Sequence, residues 1–231
     1  VDAKTFLTSG NITLGTGLHN VTLLGVSGLT AVGNGFANII TGNSGGNSIT
    51  AGAGADVVNG MAGNDTLLGG SGADTVSGGL GNDRIDGAGG TDTVSYATAS
   101  TSVTVDLGAG SATGGSGTDT LISIENATGG AVDDVLVGSS GSNLLDGGAG
   151  NDTLSGGLGD DTLNGGSGLD TASYAASTGG VKVNLATGVV SGGAGADTLI
   201  SIENVMGSAL NDQFTDSSGN NVIKIGRASC R

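Results

Sequence analysis

The nine-residue pattern Gly-Gly-x-Gly-x-Asp-x-aliphatic-x runs head to tail through much of this 231-residue chain and leaves few folds open to it. Gly69–Ser77 is followed at once by Gly78–Asp86, and a second uninterrupted pair runs from Gly147 to Asn164. The first six residues of each unit carry glycines where a tight turn needs positive φ, together with one carboxylate. The last three are a minimal strand whose middle aliphatic side chain points inward. Two units make one coil of a parallel β-helix, so turns stacked on the same side lie eighteen residues apart. Their aspartates then face one another along the stack and can share one hard cation through carboxylate and backbone carbonyl oxygens.

The composition fits a solenoid better than a globule. Fifty glycines, no proline, no tryptophan and 2% aromatic residues leave few large side chains to bury. The hydrophobic 36% is mostly Ala, Val, Leu and Ile, spread at one inward position per unit. Ordering the backbone costs roughly 1–2 kcal/mol per residue, and glycine raises that cost further. A core this thin needs help from outside the chain.

The charge indicates what that help is. Formal net charge is −15, and nineteen of the 21 acidic residues are aspartate. A short carboxylate can reach an ion from inside a tight turn. With only six Lys and Arg, the chain lacks the basic patches that nucleic acid would require.

Register sets the extent of the repeat. The sixth position of the unit falls on Asn38, Asn47, Asp56, Asp65, Asp74, Asp83 and Asp92, nine residues apart. Counting backward reaches Leu29, Asn20 and Asn11, which keep the spacing but lack the glycines and the acid. These are expected to be capping coils over residues 1–32. Counting forward passes Thr101 and Gly110 and lands on Asp119, so the spacing predicts an unbroken register. On that reading 96–113 forms one motif-poor coil, with a strand at Val103–Leu107.

A larger repeat lies over the small one, because residues 69–146 align with 147–224 without a gap, at an offset of 78. Asp119–Asn126 recurs unchanged at Asp197–Asn204, and Ser95-Tyr96-Ala97 recurs as Ser173-Tyr174-Ala175. Six extra residues, Ser123–Thr128 and Ser201–Met206, slip the register in each copy; a longer strand with a bulge or loop is the simplest account. The expected sections are capping coils at 1–32, repeat sections at 33–122 and 123–224, and a tail at 225–231. The tail breaks the repeat and holds the one cysteine, so no disulfide forms within the chain.

These repeats resemble the RTX (repeats-in-toxin) family over most of residues 33–224. The resemblance implies an all-β parallel β-roll, or β-helix solenoid, of 18-residue coils with calcium in the turns. It implies Ca2+ as the cofactor, and about five to eight ions would bring the net charge close to neutral. The metal positions it implies are Asp56, Asp65, Asp74, Asp83, Asp92, Asp119, Asp134, Asp152, Asp161, Asp170, Asp197 and Asp212, with Asn38, Asn47, Asn143 and Asn221. The eighteen-residue spacing places Asp74 between Asp56 and Asp92, and Asp152 between Asp134 and Asp170, so each would serve two sites. Asp92 would face Gly110, and Asp170 would face Gly188, leaving one site each.

The family also implies a secreted or cell-surface protein of the hemolysin type, exported by type I secretion on a signal beyond the repeats. The chain reads as a slice of a longer array, a non-catalytic module that folds on extracellular calcium. An alternative is an accessory module of a secreted lipase, protease or alginate epimerase, its partner a catalytic domain of the parent protein or an extracellular polysaccharide. A third reading, an adhesin or ice-binding stalk, wants a uniform outward row, and the outward residues Arg84, Thr162 and Lys182 vary.

Catalytic motifs carry little weight. Gly42-Asn43-Ser44-Gly45-Gly46 matches the turn that presents a hydrolase serine, but such matches arise by chance in a glycine-rich repeat. His19, the single histidine, lies on a capping coil and is expected at the surface, and there is no His-Glu-x-x-His. Glu125 and Glu203 are duplicated across the copies, which fits a structural or ligating role. No apolar run is long enough to span a membrane.

Overall fold

Through the regular repeats short strands, most often of three residues, alternate between two sheets, joined by short turns. The computed structural model describes residues 5–225 except 116 and 220, and all its regular elements are strands. Among these residues no helix is long and apolar enough to cross a membrane. Two compact units are present, one of residues 5–98 with 110–124, the other of residues 99–109 with 125–225.

In the first unit one sheet stacks Ile39–Thr41, Val57–Asn59, Thr75–Ser77 and Thr93–Ser95 in parallel. The other stacks Thr30–Asn34, Ser48–Ala53, Thr66–Gly72, Arg84–Gly90 and Gly117–Ile122. The aligned middle residues form the core: Ile40, Val58, Val76 and Val94 on one side, Ile49, Leu67, Ile85 and Leu121 on the other, all buried. Each such side chain contributes about 1.5–3 kcal/mol by leaving water. The second unit repeats this with Leu145 over Leu163 and Leu136 over Leu154. The β-solenoid expected from the repeat is therefore present, with its inward aliphatics where the pattern places them.

Three expectations about register require correction. First, Asn11 and Asn20 are not in sixth positions, because Asn20 pairs with Ile39 and Ile12 with Ala31, nineteen residues on. The turn between Asn20 and Thr30 holds one residue more than the repeat.

Second, 96–113 is not a coil inserted in the stack. Arg84–Asp86 pairs directly with Thr120–Ile122, and Thr162–Asn164 directly with Thr198–Ile200, in each case thirty-six residues on. The intervening segment leaves the stack. Val103–Asp106 is a strand as expected, but it pairs in parallel with Val135–Val137 of the second unit. In the second copy Val181–Asn184 and Val189–Gly192 form an antiparallel hairpin. Its turn uses Gly188 at φ 69°, a left-handed angle that glycine adopts without strain. Alternation at Val181-Lys182-Val183 buries both valines, so this pair is a true two-faced strand rather than a turn unit.

Third, the slip at Ser123–Thr128 and Ser201–Met206 is a shortening of three residues. No longer bulged strand forms there. Ser123 and Ser201 each take φ 49°, and a three-residue turn carries the chain into the next strand at Asn126 or Asn204.

The tail expected at 225–231 lies, Ile225 apart, outside the described residues.

Candidate metal centre

The sixth-position aspartates of the regular units stand immediately before a strand, and the solenoid buries them. Asp56, Asp65, Asp74, Asp83, Asp152, Asp161 and Asp170 are at most 3% exposed. One carboxylate oxygen has a fixed task, since Oδ1 accepts the backbone N–H of the sixth residue one coil back. Asn38 N donates to Asp56 (2.6 Å), Asp56 N to Asp74 (2.8 Å), and Asp74 N to Asp92 (2.8 Å). The neighbouring stack runs from Asn47 through Asp65 and Asp83 to Asp119. In the second unit Asp134 N donates to Asp152, Asp152 N to Asp170, Asn143 N to Asp161, and Asp161 N to Asp197.

The other oxygen is the informative one. Oδ2 of Asp56, Asp65, Asp74, Asp83, Asp152, Asp161, Asp170 and Asp212 is buried and receives no hydrogen bond. A buried, unsatisfied carboxylate oxygen is costly, and a cation is the economical way to satisfy several at once. Among the described residues no three Asp, Glu, His or Cys side chains converge, so the remaining ligands would be backbone carbonyls. The turns supply them. The carbonyl oxygens of Gly52 and Gly54 lie so close to Gly70 and Gly72, one coil on, that a Cβ there would collide with them. The donor set, hard oxygen throughout, fits calcium.

The electrostatics agree. Burial, reinforced by the neighbouring carboxylate in the stack, pushes Asp65 up to about 7 and Asp56, Asp83, Asp152 and Asp161 up to about 6. These groups sit near 3.8 in the unfolded chain, so their protonated form is favoured by the metal-free fold. Their contribution is complete below about pH 4 and is lost as pH rises through 6 to 7. The metal-free chain is therefore expected to gain β structure on acidification from pH 8 to pH 4.5, measured by circular dichroism in chelator. A metal-free fold that weakens over that interval would contradict this assignment of the carboxylates.

Asp119 and Asp134 are closed by the protein itself. The Tyr96 hydroxyl donates to Asp119 Oδ2 at 2.7 Å, and burial together with that carboxylate holds the phenol far above its ordinary value. Tyr174 stands beside Asp197 in the second copy and is equally buried. Asp134 receives Val103 N on Oδ1 and Gly130 N on Oδ2. Glu203 takes the carboxylate place ahead of Asp170, its Oε2 accepting Asp170 N at 2.9 Å. The expectation that Asp170 faces Gly188 is thus corrected. Gly110 and Gly188 lie instead beside Leu121 and Leu199, whose N–H groups they accept. A three-residue turn brings the next sixth position forward, and the longer glutamate fills it.

The four asparagines stand apart from the aspartates. Asn38 and Asn47 accept the N–H of Asn34 and Asn43 on Oδ1, and their amides donate back to those residues' side chains. Asn143 accepts Ser139 N, and Asn221 accepts the Ser217 hydroxyl; both donate Nδ2 to a glutamate carbonyl, of Glu125 and Glu203 respectively.

A ladder at the fifth position escaped the sequence reading. In the first unit Asn64 Oδ1 accepts Asn82 N and Asn82 Oδ1 accepts Thr118 N; in the second, Asp133 Oδ1 accepts Asn151 N and Asn151 Oδ1 accepts Leu169 N. The signal was the Asn or Asp repeated before the sixth residue at these units. His19 is half-buried, its ring 5.5 Å from that of Phe36 and its Nδ1 3.3 Å from the Ala37 carbonyl oxygen.

Comparison with known families matches the chain to the RTX calcium-binding nonapeptide repeat (4 copies), over residues 32–67, 60–94, 128–163, 137–172 and 189–201. Those segments together span just over half of the chain. No curated protein matches it.

Proposed function

The chain belongs to the RTX calcium-binding nonapeptide repeat family, and from that premise we propose that it is a module that folds on extracellular calcium after secretion. The observation that carries this reading is the row of buried carboxylate oxygens without a donor. Asp56, Asp65, Asp74, Asp83, Asp152, Asp161 and Asp170, with Asp92 ahead of Asp74, would hold the ions with turn carbonyls, about five to eight in all. Bound calcium supplies the positive charge that these oxygens lack and offsets the formal −15. In a low-calcium cytoplasm the acidic chain would stay unfolded and could be threaded through a channel. Outside the cell, ligand binding would contribute the missing folding free energy.

Such a switch needs the right threshold. The folding midpoint is expected at about 10⁻⁴–10⁻³ M free calcium, the range of extracellular modules. Resistance to limited proteolysis, followed across buffered calcium concentrations, measures it. A midpoint below about 10⁻⁶ M would let the chain fold before export and would end the secretion part of the proposal.

A further inference from the structure

The second residue of each unit divides the turns into two kinds. In the turns before Asp56, Asp65, Asp74, Asp83, Asp152, Asp161 and Asp170, whose Oδ2 atoms are unsatisfied, the second residue lies in the left-handed region: Gly52, Met61, Gly70, Gly79, Gly148, Gly157 and Gly166 take φ between 78° and 122°. The fourth residue does the same, from 109° at Gly63 and Gly159 to 149° at Gly168. Ser208, the second residue of the turn before Asp212, does not, and its hydroxyl donates to Asp212 Oδ1 at 2.7 Å. Met61 shows that the conformation belongs to the turn and not to glycine alone, since a methionine tolerates it there at a steric cost.

The other kind has neither feature. Among the described residues Asn34, Asn43, Gly130 and Ser139, all second residues, have no left-handed φ, nor do the fourth residues Phe36, Gly45, Val132 and Gly141. With the peptide plane in this orientation the second residue's N–H reaches the sixth side chain. Asn34 N bonds Asn38 at 3.0 Å, Asn43 N bonds Asn47 at 2.8 Å, Gly130 N bonds Asp134 at 2.5 Å, and Ser139 N bonds Asn143 at 2.6 Å. Asparagine at the second position does more, because its amide donates into the preceding coil. Asn34 Nδ2 reaches the carbonyls of Gly15 and Leu18 at 3.0 and 2.8 Å, and Asn43 Nδ2 reaches those of Leu24 and Ser27 at 3.4 and 3.0 Å. A neutral N–H donor there meets turn carbonyls, the same class of oxygen that a calcium ion would take.

We propose that these turns are self-closing and take no calcium, and that the pairing of a left-handed second residue with a sixth-position aspartate specifies the turns that do. The self-closing turns precede the calcium turns in both units, at Gly33–Asn47 and at Gly129–Asn143. Each unit thus carries a metal-independent start against which the first ion-binding coil can be laid. The proposal rests on the calcium reading above and refines which of the repeat positions belong to it.

The test exchanges the two kinds of turn. Asn43→Gly/Asn47→Asp in the first unit, and Ser139→Gly/Asn143→Asp in the second, remove the internal donors and supply the carboxylate. Each double variant is expected to bind one more calcium per chain than the unmodified protein, counted by isothermal titration with calcium chloride. Asn47→Ala and Asn143→Ala are expected to leave the count unchanged while lowering thermal stability. If the unmodified chain binds no calcium, the functional reading itself falls. If it binds calcium but an alanine variant loses an ion, or both double variants fold and neither gains one, the division of turns falls and the functional reading stands. Should a double variant fail to fold at saturating calcium, the counts of the alanine variants decide.

Discussion

In excess chelator at neutral pH the chain is expected to lose most of its β structure and to regain it cooperatively as calcium is added. A regular coil buries only two large aliphatic side chains, such as Val76 and Ile85, against the ordering of about eighteen glycine-rich residues. Without metal the fold also strands the Oδ2 atoms of Asp56, Asp65, Asp74 and Asp83 in the first unit alone. Each unsatisfied buried oxygen costs about 1–3 kcal/mol, and more when it is charged. Marginal domains have no more than roughly 5–15 kcal/mol to lose. On the proposed site map one ion would join neighbouring coils, so coils would order together and not one at a time. Far-ultraviolet circular dichroism with EGTA, followed by calcium titration, measures the effect. A full β spectrum in chelator at pH 7.5 would sink the folding switch. Magnesium at equal concentration should restore much less structure, because its smaller ion demands octahedral geometry and gives up water reluctantly.

The second large effect is confined to one side chain. Asp74→Ala is expected to lower the calcium count by about two, whereas Asp56→Ala lowers it by about one. Asp74 accepts the N–H of Asp56 behind it and gives its own N–H to Asp92 ahead, so carboxylates flank it on both sides. Behind Asp56 stands Asn38, whose side chain is already hydrogen-bonded within its own turn. Calorimetric stoichiometry distinguishes the two cases. Equal losses would mean that ions are not shared along the stack, and the site map built on the eighteen-residue coil would fail.

The parts of this architecture that obey the nine-residue period could be read from the sequence. One inward aliphatic per unit, from Ile40 to Leu163, and one buried acid per turn, from Asp56 to Asp170, follow from local geometry repeated. The failures occur where the chain leaves the period. Asp119 lies a multiple of nine from Asp83, so counting saw no break, yet the two are stacking neighbours and the segment between them turns away. Numerical register records spacing along the chain and is blind to a hairpin whose length preserves it. The two kinds of turn were legible in principle, because Asn34/Asn38 and Asn43/Asn47 pair polar second residues with amide sixth residues. What concealed them is that Asn and Asp have nearly the same shape and differ by one donor. That difference matters only once the backbone shows which N–H faces the side chain.

Tyr96 and Tyr174 give the molecule an optical property that follows from their placement. The chain has no tryptophan, so its ultraviolet emission comes from these two phenols, one in each unit. Each is buried against a carboxylate, Asp119 or Asp197, at the edge of the excursion from the stack. A phenol bound to a carboxylate emits differently from one in water. Each unit therefore carries its own native fluorophore at a single known place, and exchanging either tyrosine for phenylalanine isolates the signal of the other. The order in which the two halves take shape can be watched without attaching a dye.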